Sequence, residues 1–240
     1  MAGGEVTKKI WIIANWKSNK TIEEALEWIS EVGPNIPTHP NLKVVVCPPF
    51  VHVEEIKKEI KVGGFPILVG VQDLSPFEEG PFTGEEAASI LENIVDIAIL
   101  GHSERRANFN ETDELVAKKS FEARKYNILP LVCLQSEDTS IPEDVNLVAF
   151  EPLSAIGTGN PDTPEDAVKV VESLKQKKGP SLEVLYGGSV TSENAESFLN
   201  ESLLSGLLIG KASLDPHEFV KIVKLADKTI NGRSDQAPPA

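Results

Sequence analysis

Short apolar runs recur along the chain at nearly even spacing: Ile10–Ala14, Val44–Cys47, Ile67–Val71, Ile97–Leu100, Leu129–Leu134, Leu147–Phe150, Leu182–Tyr186 and Leu207–Ile209. They are rich in Val, Ile and Leu and show little polar alternation. A strand with one wet face alternates, whereas a strand covered on both faces does not. The runs therefore predict strands of a buried parallel sheet. Eight runs in 240 residues leave about 30 residues per run, the size of one βα repeat.

The stretches between them read as amphipathic helices. Thr21–Val32 opens on Thr21 as N-cap, with Glu24 three residues on as its capping-box partner. Thr83–Asn93 shows the same Thr-x-x-Glu start, Thr83 to Glu86. Asp113–Tyr126, Thr163–Lys177 with Pro164 at the first helical position, Thr191–Asn200 and Asp215–Ala226 complete the set.

Strands alternating with helices suggest a closed β/α barrel of eight units, and the competitor is an open doubly wound sheet of eight strands. Periodicity alone does not separate the two. One unit is abnormal: only QSEDTSIPEDV lies between Leu134 and Asn146, with Pro142 in it. That is too short for a helix and two loops, so the helix of the fifth unit is expected to be shortened or absent. One domain is expected over 1–240, with a flexible polar tail from about 228 to 240.

Composition narrows the function. Lys and Arg number 23 and Asp and Glu 37, for a net charge of −14. Nucleic acid and acidic membrane both need a cationic footprint, so neither is the expected partner. A small anionic substrate is not excluded, because it feels the local site. Two cysteines, Cys47 and Cys133, exclude a disulfide-dense scaffold and a Cys₄ zinc site, and suit a reducing compartment. No run reaches the roughly 18 apolar residues of a membrane span, and the first apolar run is too short for a secretory signal. A cytoplasmic location is the expectation.

In parallel β/α folds the loops after strand C-termini build the site. Here those loops hold Asn15-Trp16-Lys17, Gln72-Asp73, Gly101 to Arg106, Glu151-Pro152 with Ala155 to Gly159, Gly187-Gly188-Ser189, and Gly210-Lys211. Strand order thus gathers one His, carboxylates, Lys17 and glycine-rich loops on one rim. Glu151 can serve as general base, His102 as electrophile or acid, and Lys17 as a fixed cation. Gly157, Gly188 and Gly210 permit close backbone approach to an anion. Ser189, just before the helix expected at Thr191, turns N–H groups toward a phosphate. The combination suits proton abstraction next to a carbonyl in a phosphorylated substrate. Taken singly, each has a plainer reading: a solvated lysine, a structural histidine, a carboxylate paired with arginine. His39, His52 and His217 read as surface residues, and the two cysteines as buried inert thiols. No metal-ligand spacing and no dinucleotide or P-loop motif occurs, so neither a metal nor a cofactor is expected.

Four segments in this order carry a resemblance: Ala14-Asn15-Trp16-Lys17, Gly101-His102-Ser103-Glu104-Arg105-Arg106, Glu151-Pro152 with Ala155-Ile156-Gly157-Thr158-Gly159, and Tyr186-Gly187-Gly188-Ser189-Val190. The chain resembles the triosephosphate isomerase family from about Ile12 to Ala226. The resemblance implies a single (β/α)₈ TIM barrel that interconverts dihydroxyacetone phosphate and D-glyceraldehyde 3-phosphate through an enediolate, in glycolysis and gluconeogenesis. It implies Glu151 as the base, His102 as a neutral imidazole on the carbonyl oxygen, Lys17 as electrostatic stabiliser and Asn15 as an orienting group, roles known for this family. Glu104 and Ser103 would support the base and Lys17. Amides near Gly157, Ser189, Gly210 and Lys211 would hold the phosphate, and Pro152–Asn160 would form a lid. Gly80–Glu85 resembles the family's dimer loop, which would bring Thr83 beside Lys17 and Glu104 of the partner subunit. A homodimer is expected, with a tetramer through the depleted fifth unit as the second option.

The chain departs from the family pattern at Leu153-Ser154, at Asn160-Pro161-Asp162, at Lys211 where a second glycine is usual, and at Gln135-Ser136 after Cys133. Two rivals stand beside this reading: another sugar-phosphate isomerase on a barrel, and a catalytically silent phosphate-binding barrel. The Lys17, His102 and Glu151 trio disfavours both.

Overall fold

A computed structural model describes residues 9–152 and 163–234. Its elements run β1 (Ile10–Asn15), α1 (Ile22–Val32), β2 (Leu42–Cys47), α2 (Val53–Gly63), β3 (Ile67–Val71), α3 (Ala88–Leu91), β4 (Ile97–Leu100), α4 (Ser103–Phe109), α5 (Asp113–Lys125), β5 (Leu129–Leu134), β6 (Leu147–Phe150), α6 (Pro164–Lys178), β7 (Glu183–Tyr186), α7 (Ala195–Asn200), β8 (Gly206–Ile209) and α8 (Pro216–Ser234). The eight strands pair in chain order, all parallel, and β8 closes on β1 with Trp11 opposite Gly206 and Ala14 opposite Ile209. The barrel, not the open sheet, is therefore the answer.

The apolar runs lack alternation because both faces are buried, yet the two faces differ in what they meet. Trp11, Ile13, Val45, Cys47, Ile97, Ile99, Leu131, Cys133, Leu147, Ala149, Leu185 and Leu208 fill the barrel interior. Their neighbours, such as Ile12, Val46, Ala98, Val132, Val148, Val184 and Leu207, join the larger core under the helices. This period of two decides which residues at the strand ends point inward.

The helices dock by their apolar faces. Ala25, Trp28, Ile29 and Val32 bury one side of α1, whose start is the expected capping box. Thr21 Oγ1 accepts from the Glu24 amide at 3.3 Å, and Glu24 Oε2 accepts from the Thr21 amide at 2.7 Å. Thr163 caps α6 ahead of Pro164, with its hydroxyl accepting from the Asp166 amide at 3.2 Å.

Several expectations need correction. The helix expected over Thr83–Asn93 shrinks to Ala88–Leu91, because Gly84 takes φ +92 and the Glu86 carbonyl accepts from Ser75 N at 2.9 Å. Residues 75–87 instead form a loop. Two helices went unread: α2, which buries Val53, Ile56 and Ile60, and the polar α4. α8 runs on through Ser234, so the first part of the tail expected from 228 is helical. His52 is buried, with Nε2 3.1 Å from the Lys20 carbonyl oxygen.

No helix stands between β5 and β6, as the length of that connection requires. The neighbouring helices hold it down instead. Lys177 of α6 donates to the Glu137 carbonyl (2.9 Å), Lys178 to those of Pro142 (2.9 Å) and Glu143 (2.6 Å), and Arg124 of α5 to that of Asp144 (2.6 Å).

Candidate active site

Three site residues reach the barrel mouth by continuing the inward parity of their strands. Asn15 follows Trp11 and Ile13, Glu151 follows Leu147 and Ala149, and Gly210 follows Leu208. His102 breaks the parity of β4, and the turn at Gly101 accounts for it. Gly101 holds φ +68, and a Cβ there would lie 2.8 Å from both Arg106 Nη2 and Val116 Cγ2. Only glycine fits, and the bend that results aims His102 at Glu151 while starting α4.

His102 and Glu151 are 6 % and 2 % exposed. His102 Nε2 lies 2.8 Å from Glu151 Oε1, and the amide of Ser103, the first residue of α4, donates to Glu151 Oε2 at 3.0 Å. The other ring nitrogen, Nδ1, accepts from the Glu104 amide at 3.2 Å. An imidazole that accepts at Nδ1 carries its proton at Nε2 and is neutral. The His102 ring is therefore an N–H donor pointed at the carboxylate and into the cleft. The Glu104 carboxylate Oε2 stands 3.7 Å from Nδ1, beyond hydrogen-bond reach, so the amide decides the tautomer.

Lys17 is placed by its backbone. The loop after β1 is pinned by Trp16, wholly buried and edge-on to Trp28 at 4.9 Å, which in turn meets Phe219 of α8 at 5.2 Å. Lys17 then takes φ 55, a left-handed conformation that costs a non-glycine residue about 1 kcal/mol or more. Its amide donates to Asn15 Oδ1 at 3.2 Å, and its carbonyl accepts from Gln72 Nε2 at 2.9 Å. The ammonium pairs with Glu104 Oε1 at 2.5 Å and its stem passes Gly210. Both partners are partly exposed, so the pair fixes position more than it adds stability.

α4 carries His102 at its cap and Glu104 in its first turn, and an ion cluster holds it from behind. Arg105 pairs with Asp73 at 2.6 Å and approaches Glu111 at 3.4 Å; Lys119 of α5 bridges Asp73 at 2.6 Å and also pairs with Glu111. Burial pushes the Asp73 carboxyl up, against the pull of Lys119. Arg106 donates to the Gly101 carbonyl at 2.8 Å and pairs with Asp113 at 2.7 Å, locking the turn. Below the site, burial raises the Cys133 thiol well above its ordinary range, and the neighbouring Glu151 charge adds to it.

These groups line one cleft of about 910 Å³, bordered by Asn15, Lys17, His102, Glu151, Ser189, Gly210 and Lys211. On the far wall Asn194 ties the β7–α7 loop together, accepting from the Thr191 amide and donating to the Ser189 carbonyl, both at 2.9 Å. The arrangement offers a carboxylate, a neutral imidazole N–H and an ammonium on one side, and glycine-rich backbone on the other.

Comparison with known proteins decides the family. The family model described as triosephosphate isomerase matches residues 10–226. The chain belongs to the triosephosphate isomerase family. It is similar to the triosephosphate isomerase of Aquifex aeolicus (strain VF5), 35 % identical over 242 residues that cover 88 % of this chain and 97 % of that one. It is also similar to that of Mesomycoplasma hyorhinis, 37 % identical over 90 % of this chain and 98 % of that one. Membership makes the chain an enzyme, an isomerase.

Of the residues singled out from the sequence, Asn15, Lys17, His102, Glu151, Ser189, Gly210 and Lys211 line this cleft, and Glu104 pairs with Lys17 beside it. Gly157 and the rest of the lid expected over 152–160, apart from Pro152, lie outside the described residues. Sequence reasoning missed Glu193, Asn194 and Glu218 on the far wall. The Thr191-x-x-Asn194 spacing, a capping pattern, was the available signal for Asn194. Nothing in the pattern of α8 marks Glu218.

Proposed function

We propose that this chain interconverts D-glyceraldehyde 3-phosphate and dihydroxyacetone phosphate by proton transfer through an enediolate. Glu151 takes the proton from the carbon beside the carbonyl, and the electron pair moves onto the carbonyl oxygen. The Nε2–H of His102 and the charge of Lys17 stabilise that oxygen. His102 relays a proton between the two substrate oxygens, and Glu151 returns its proton to the adjacent carbon. Asn15 orients the substrate, Glu104 holds Lys17, and amides near Ser189, Gly210 and Lys211 receive the phosphate. The observation that carries the reading is the buried Glu151–His102 contact at 2.8 Å, with the proton of His102 on the nitrogen that faces Glu151.

Turnover in deuterated water tests the route. Deuterium is expected at carbon 1 of the dihydroxyacetone phosphate formed, because a proton on Glu151 exchanges with solvent. A product wholly free of deuterium would contradict proton transfer through a solvent-exchanging Glu151.

Assembly as a homodimer through Gly80–Glu85, a single domain and a cytoplasmic location complete the proposal. Phe77 and Phe82 support the dimer: they stack at 4.2 Å and 9°, and remain 41 % and 37 % exposed. The clamps over 135–146 cover the depleted side from within, which favours the dimer over a tetramer.

A further inference from the structure

Lys211 follows the strand-end Gly210 and opens a short 3₁₀ turn, Lys211–Leu214, at the mouth of the cleft. The turn is braced by Ser213, whose amide and hydroxyl both donate to the Gly210 carbonyl, at 2.9 and 2.7 Å. Ser213 is buried and its carbonyl accepts from Trp28 Nε1 at 3.0 Å, so the turn rests on the same aromatic cluster that fixes Lys17. Two lysines thus flank Gly210 on rigid backbone. They differ in how their charge is spent. Lys17 is engaged by Glu104 at 2.5 Å, whereas the exposed side chain of Lys211 has no ion pair or hydrogen bond among the described residues. The far wall adds the carboxylate of Glu193, which opposes an entering anion, and that of Glu218, which is already paired with Lys221 at 3.0 Å.

We infer that the Lys211 ammonium, and not its amide alone, is a determinant of phosphate affinity in this chain. A phosphate seated on the amides after β7 and β8 carries close to two negative charges. Lys17 is already half-neutralised by Glu104 and serves the reacting oxygen, so one further cation beside Gly210 completes the balance and offsets the Glu193 charge. A four-carbon stem places that ammonium as a point charge without demanding a fixed geometry. Lys211 is here a binding determinant, with no part in moving protons. The inference rests on the phosphate-substrate reading above.

The experiment compares the native protein with Lys211→Met, Lys211→Gln and Lys211→Arg. Two things are measured: binding of inorganic phosphate by calorimetry at low salt, and kcat and KM for glyceraldehyde 3-phosphate. An exposed charge contact is modest and screened by salt, so phosphate affinity and KM are expected to weaken about fivefold in both neutral variants. kcat should stay within about twofold, Lys211→Arg should restore affinity, and the differences should fade in high salt. Unchanged phosphate affinity in Lys211→Met and Lys211→Gln would overturn the inference, as would failure of Lys211→Arg to restore it. A native protein that binds phosphate through Lys211 but turns over no glyceraldehyde 3-phosphate would sink the isomerase reading and leave the inference standing.

Discussion

Glu151 and His102 share one buried contact at the cleft, and the proposed chemistry follows from which partner holds the proton. The imidazole accepts at Nδ1 and so donates at Nε2, which leaves Glu151 as the only base facing the cleft from that pair. Glu151→Gln keeps the shape and removes the basic lone pair. Lys17 is proposed to act by charge. Lys17→Met is expected to raise KM and lower kcat together, and Lys17→Arg to rescue only in part, since its planar fork does not fit where the ammonium meets Glu104 at 2.5 Å. Steady-state kinetics check both, and unchanged constants in Lys17→Met would refute the role. The thiols make a separate case. Cys47 and Cys133 are fully buried and pushed above the ordinary thiol range by desolvation. Neither is expected to react with a thiol reagent at pH 8 until the protein is unfolded, and both should react then. Rapid labelling of the native protein would contradict the packing of the barrel interior.

At the scale of elements, legibility followed burial. The strands could be read because a surface buried on both sides leaves an uninterrupted apolar run. The capping pair Thr21–Glu24 and the Pro164 start of α6 could be read because the helices they open also bury a face. Thr83–Glu86 has the same spacing and caps nothing, because Gly84 leaves helical space and Ser75 captures the backbone of Glu86. A capping pattern starts no helix where the backbone behind it is already bent and bonded elsewhere. α4 escaped notice for the opposite reason: it is held by ions and by its cap, with Ser103 its one buried residue. The segment was legible there as a motif, but its helical shape was not. The turn that makes it work is Gly101. Gly101→Ala would add a Cβ against Arg106 and Val116 at a left-handed φ, so a loss of about 1–3 kcal/mol in stability is expected. Catalysis should fall further as His102 moves. Thermal unfolding and kcat read the two effects, and an unchanged melting temperature would show that the turn relaxes freely.

The whole molecule is a strongly anionic barrel, net −14, with Lys17 and Lys211 both lining the cleft at its mouth. Global charge argued against nucleic acid and gave no warning of the proposed anion site, because the strand-end loops place cations locally. The fifth unit shows how a barrel loses a helix without losing closure: lysines on α6 and Arg124 on α5 bind the carbonyls of the replacement loop. With that side covered, Phe82 of the Gly80–Glu85 loop and the Phe77 stacked on it are the better candidates for burial between copies. Light scattering at micromolar concentration is expected to give a dimer, and Thr83→Arg a monomer of much reduced activity. A fully active monomeric native protein would defeat the dimer, and a Thr83→Arg dimer would place the interface elsewhere. The most direct measurement is turnover of D-glyceraldehyde 3-phosphate in a coupled assay, with native protein and Glu151→Gln side by side. The native protein is expected to isomerise it, and Glu151→Gln to lose about 10²–10⁴-fold in kcat while still binding inorganic phosphate. Absence of turnover in the native protein, or near-normal turnover in Glu151→Gln, would contradict the proposed reaction or its base.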